Sequence, residues 1–156
     1  MQRLLLIIGL LAIGGCATDE AALSEGSQDA PRIIQETRLP LRTERAGAQA
    51  AERRWTFTGP SIQGSVDGSG AWSLRAEIDH PRLRCATYEA GVRVGRGDAS
   101  CDNVEWLTAP EFGPERLQCN QATTVHAGNG RFDLPQSALG GINCVCVVVR
   151  CRGGGC

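Results

Sequence analysis

Seven of the eight cysteines in this 156-residue chain lie between positions 85 and 156: Cys85, Cys101, Cys119, Cys144, Cys146, Cys151 and Cys156. The last four fall in the single stretch CVCVVVRCRGGGC. No other feature restricts the fold as much. Thiols at this density serve as disulfides, metal ligands or nucleophiles, and each use demands a different approach of the backbone. The compartment decides among them, and the start of the chain bears on the compartment.

That start reads MQRLLLIIGLLAIGGC, with one basic side chain, Arg3, ahead of an apolar run from Leu4 to Ile13. Roughly a dozen apolar or small residues are too few to cross a hydrocarbon core, but they match the apolar stretch of a secretory signal peptide. Ile13-Gly14-Gly15-Cys16 resembles the lipobox of bacterial lipoproteins, which usually reads Leu, then Ala or Ser, then Gly or Ala, then Cys. The resemblance covers residues 1–16 only. It implies removal of residues 1–15, lipidation of Cys16, and membrane attachment through that lipid. In Gram-negative members of the family, Asp directly after the Cys favours the inner membrane. Here that position is Ala17, so the resemblance implies an outer-membrane destination. The complete absence of Lys beside many Arg fits a GC-rich bacterial genome.

Residues 16–52 are expected to form a flexible polar tether. The stretch has no aromatic residue, few branched aliphatics and two prolines, Pro31 and Pro40, so it buries too little surface to offset the entropy of ordering. Ile33-Ile34 is its one candidate partner-binding segment.

Residues 53–156 change character and hold every Trp, Phe and Tyr. Trp55 and Phe57 alternate with Thr56 and Thr58, and Trp72, Leu74, Ala76 and Ile78 alternate with polar neighbours. That two-residue period belongs to half-buried strands. Leu83 and Cys85 continue an inward face, and Val92 with Val94 and Val104 with Trp106 mark short strands. Asn129-Gly130 between alternating residues predicts a hairpin turn. Ile142 to Val149 is apolar on both faces, as a central strand would be. About eight short strands with little helical periodicity predict an all-β domain, a small disulfide-stapled β-sandwich or alternatively a small barrel.

In an oxidising compartment the cysteines of such a domain are expected to be structural. With Cys16 lipidated, seven remain, so three bridges leave one thiol over. Cys144 and Cys146 share a strand face with parallel side chains and are expected never to join each other. The favoured pairs are Cys85–Cys101, bracketing an expected loop, Cys119 with Cys144 or Cys146, and Cys151–Cys156. One of Cys144 and Cys146 is then free and buried. Thiolate ligation of a metal is the weaker reading, since no Cys-x2-Cys knuckle occurs; no metal and no cofactor are expected.

Functional signals are diffuse. The net charge of −1 argues against a nucleic-acid partner. Arg96-Gly97-Asp98 spells an adhesion tripeptide but reads more simply as a turn. Glu105 and Glu111 flank Trp106 as in a sugar cleft, and Arg75, Arg82, Arg84 and Arg93 form a cationic stripe if their strands pair. The leading expectation is a non-enzymatic envelope lipoprotein whose domain binds an envelope protein or polymer. The alternative is a small extracytoplasmic hydrolase built on His80 or His126 with neighbouring carboxylates.

Overall fold

The computed structural model describes residues 30–45, 52–79, 84–120, 123–153 and 156. The clearest alternation becomes β5 (Ala71–Asp79), where Trp72, Leu74, Ala76 and Ile78 are buried and the residues between them are exposed. β5 lies second in a five-stranded antiparallel sheet, between β10 (Thr123–Arg131) and β4 (Ile62–Asp67). β3 (Arg54–Gly59) and the short β2 (Arg42–Arg45) complete that sheet.

The second sheet is built on β6 (Cys85–Gly97), the longest strand at thirteen residues. One edge of β6 pairs with β11 (Cys144–Arg152), and β11 pairs in turn with β1 (Arg32–Pro40). Along its other edge run β7 (Val104–Trp106), β8 (Glu111–Phe112) and β9 (Arg116–Cys119). A single helical turn, α1 (Gln136–Leu139), carries Leu139 into the core. The sheets face each other as a sandwich, and neither closes into a barrel.

The core sits between the inner faces. Ala86, Tyr88, Ala90, Val92 and Val94 of β6 and Val145, Val147 and Val149 of β11 meet Trp55, Phe57, Ile62, Val66, Trp72 and Leu74 opposite. Fully burying one such aliphatic or aromatic side chain contributes about 1.5–3 kcal/mol. β11 is buried on both faces, with Val145, Val147 and Val149 turned into the core between the sheets and Cys144 on the other face covered by its bridge to Cys101, which is why its sequence shows no alternation.

Three expectations are corrected. The folded part includes Arg32–Pro40 and Arg42–Arg45, so these residues of the expected 16–52 tether are β-strands. β1 is an edge strand with Leu39 as its one buried residue, so its sequence reads as polar although its backbone is paired. Asn129-Gly130 makes no turn; both residues lie within β10, opposite Ser73 and Trp72. Glycine is needed there because a Cβ at position 130 would meet the Trp72 indole at 2.7 Å. Cys85 does not face inward but is exposed at the start of β6.

The disulfides follow from that last point. Residues 85–97 are one extended strand, which separates Cys85 from Cys101 by roughly 40 Å and rules out the expected bridge. Cys85 pairs instead with Cys119, directly opposite on β9, with Cα atoms 4.2 Å apart. Cys101 joins Cys144, and Cys151 joins Cys156 as expected. Cys146 is the free, buried thiol. Three disulfides point to an oxidising, extracytoplasmic environment.

Candidate functional site

The outward-facing residues of β6 alternate as Glu89, Gly91, Arg93, Gly95 and Gly97. The glycines leave the sheet surface bare, and the crossing segment 104–112 lies down upon it. A Cβ on Gly91 would stand 2.7 Å from the Phe112 ring, and one on Gly95 3.0 Å from the Trp106 ring. Arg93, between them, extends over Trp106 at 4.3 Å from the ring centroid. On the next strand Arg150 lies over Phe112 at 3.7 Å.

Acids fix both guanidinium groups. Arg93 donates to Glu36 Oε1 on β1 at 2.8 Å, and Arg38 approaches the same oxygen at 3.7 Å. Arg150 donates to Glu89, a hydrogen bond that holds the arginine's proton more firmly than usual. The Arg93 Nε is buried and has no partner among the described residues. Fixed over rings, the two arginines lose little freedom on meeting an acceptor.

Between these arms runs a groove of about 300 Å³. Val148 forms its floor, Pro31 and Ile33 one wall, and Pro110 and Phe112 the other. Arg93, Arg150 and Glu36 supply its polar edges. Ile33 is 58% exposed and offers an apolar surface at the rim. The arrangement suits an extended ligand that places apolar groups on the floor and acceptor oxygens at the guanidinium edges.

Cys146 lies beneath this face, between Arg38 and Arg93 in the strand register. Burial pushes its thiol pKa up, while Arg93 pulls partly the other way. It is a neutral, packed thiol.

A second cleft, about 610 Å³, opens at one end between the sheets. Its walls include Ser61, Glu77, Asp79, Tyr88 and the Cys151–Cys156 bridge. Burial raises the pKa of the Tyr88 phenol, so it stays protonated.

The other residues singled out from the sequence do not converge. Asp98 is tied into its own turn, accepting from Ser100 Oγ at 2.9 Å, Asn103 Nδ2 at 3.0 Å and the Asp102 N–H at 3.1 Å. Those bonds, from Asn103 and Ser100 chiefly, hold its carboxyl below the usual carboxylate range. Gly97 exchanges both backbone hydrogen bonds with the Asn143 amide at 2.8 Å, and Arg96 donates to the Ala138 carbonyl. Arg96 and Gly97 thus end β6 and Asp98 opens the turn after it, so the tripeptide does not sit on one presented loop. The cationic stripe does not form, because Arg75 and Arg93 lie on different sheets; Arg82 lies outside the described residues. Glu105 and Glu111 are exposed and do not line the groove.

His80 and Cys16 also lie outside the described residues. His126 is placed by its backbone alone, opposite Ala76. Among the described residues no group of His, Cys, Asp and Glu could hold a metal ion. Nor is any helix there long and apolar enough to cross a membrane.

Sequence reasoning found Arg93 and Trp106 without joining them, and it missed Arg150, Phe112 and Glu36. The usable signal was GVRVGRG, whose glycines 91, 95 and 97 all fall on the same face of one strand as Arg93. Compared with known proteins, the chain matches no family model, no curated protein and no solved structure.

Proposed function

We propose that this protein is a lipid-anchored envelope lipoprotein whose sandwich is a binding module, with the groove on β6 and β11 as its contact face. The observation that carries the binding role is the pair of guanidinium groups held over aromatic rings beside an apolar floor. Rigid side chains at the edge of a concave apolar surface are the usual anchors of recognition. The chemistry best served is an envelope protein or polymer with carboxylate or hydroxyl oxygens next to apolar groups. Support for the anchor comes from Ile13-Gly14-Gly15-Cys16, and support for the compartment from the three disulfides.

Two experiments test the halves separately. Metabolic labelling with a fatty acid should mark the wild-type protein in the outer-membrane fraction and leave Cys16→Ser unlabelled. Equal labelling of both would refute the anchor. For the groove, detergent-solubilised lipidated protein is mixed with washed envelope, and the bound fraction is compared with that of Ile33→Glu. Ile33 makes no core contact, so the variant should fold normally and bind at least fivefold less. Unchanged binding removes the groove from the function.

A further inference from the structure

We infer that β1 is the docking edge for a second copy of this chain, pairing antiparallel with its own counterpart about a twofold axis through Thr37. No described strand covers the outer edge of β1. Its hydrogen-bond phase can be read from the structure. The Leu41 N–H donates to the Asn143 carbonyl at 2.8 Å, and the register continues through Leu39 opposite Val145 and Thr37 opposite Val147. Bonding alternates along an antiparallel pair, so residues 37, 39 and 41 direct their backbone groups at β11. Glu36, Arg38 and Pro40 direct theirs outward. Pro40 has no N–H to leave bare there, which suits an edge.

Few self-pairing registers satisfy the outward groups. Placing Glu36 opposite Glu36, or Arg38 opposite Arg38, sets like charges face to face, which is unfavourable. The register centred on Thr37 sets Glu36 opposite Arg38 twice over. Both pairs exchange both backbone bonds, giving four hydrogen bonds with opposite charges directly across. The same register brings Ile34, 39% exposed, alongside Pro40 of the second copy. The bulge between Ile33 and Gln35 and the proline at position 40 bound the paired stretch.

Pairing has a consequence for the groove. Residues opposite each other in an antiparallel sheet point to the same face, so two copies form one continuous sheet with both grooves on one side. Glu36 and Ile33 line each groove, which places the two grooves on either side of the junction. A repeating polymer could then be held at two points at once, a gain in avidity without new contacts. The dimer stands on β1 alone, whether or not the groove reading holds.

The test uses purified full-length protein in detergent. Thr37→Cys should form a disulfide-linked dimer under mild oxidation, because the twofold places residue 37 opposite itself in a non-hydrogen-bonded pair. Cys85 and Cys119 show that geometry closing at 4.2 Å between Cα atoms in this same sheet. Gln35→Cys, which would face Leu39, should stay monomeric. Adding Glu36→Arg or Arg38→Glu to Thr37→Cys should cut cross-linking at least fivefold. Mixing those two charge variants should restore it, since every pair then joins Arg to Glu. A defect confined to the monomer, such as loss of the Glu36–Arg93 contact, would not be rescued by mixing. A Thr37→Cys protein that remains monomeric, equal cross-linking through position 35, or failure of the mixture to recover would overturn the proposal.

Discussion

Arg150 lies over the ring of Phe112 and is held there by Glu89, one strand away on β6. Glu89 is only 8% exposed and is paired with that guanidinium. The arginine therefore joins the buried sheet face to the groove wall. Its position is set by an acid below it and an aromatic ring beside it.

Glu89→Gln should break this link. Hydrogen bonds to charged groups are worth about 1.5–3 kcal/mol, and the part-exposed arginine keeps the loss near the lower end. A fall of about 1–2 kcal/mol in denaturant-measured stability is expected, together with weaker envelope binding. An unchanged midpoint would show that Arg150 is not held by Glu89.

Cys146 should be the one titratable thiol of the domain. Burial raises its pKa, so the folded state resists forming the thiolate that reacts. Alkylation of native protein at neutral pH should be slow, and unfolding should release a single reactive thiol, located at position 146 by peptide mapping. Rapid labelling of native protein would contradict the packed environment.

The bridges should differ in worth. In the chain-entropy account a loop closed across 43 residues of separation contributes about 4 kcal/mol, and one across 5 about 2. Replacing Cys101 and Cys144 together by Ala should lower the melting temperature well beyond what replacing Cys151 and Cys156 does. Cys101 also sits at φ 61°, in the left-handed region, so its turn should loosen without the bridge. Reversed order of the two melting temperatures would refute the assignment.

Asp98 gives an acid-side prediction. Its folded pKa is depressed by the hydrogen bonds from Asn103 and Ser100. Its contribution is complete above the ordinary value of 3.8 and is lost as pH falls through the folded value. Protection of the Cys101 and Asp102 amides, relative to their intrinsic exchange at each pH, should therefore fall below about pH 4. Asp98→Asn should exchange faster at neutral pH and lose that acid dependence. A wild-type loop insensitive to acid would show that the turn does not rest on the carboxylate.

Much of the sandwich was legible where one face was buried and the other wet. β5 and β3 showed their alternation directly, and the doubly covered β11 showed its apolar run. β1 was not legible, since an edge strand with one buried residue has the composition of a linker. Cys85 to Gly97 was misread because its glycines looked like loop chemistry. They serve instead to let Phe112 and Trp106 lie against the backbone. The candidate site was hidden for the same reason: contacts such as Arg150 on Phe112 join residues far apart in sequence, and no local period encodes them.

The pairing of β1 along β11 sets how that edge of the domain bears load. A pull on Arg32 along the strand direction loads β1 in shear against its neighbour β11. The β1–β11 hydrogen bonds then share the strain side by side and must slip together, instead of opening one after another. Leu39, buried at the far end of β1, stands behind them as a final latch.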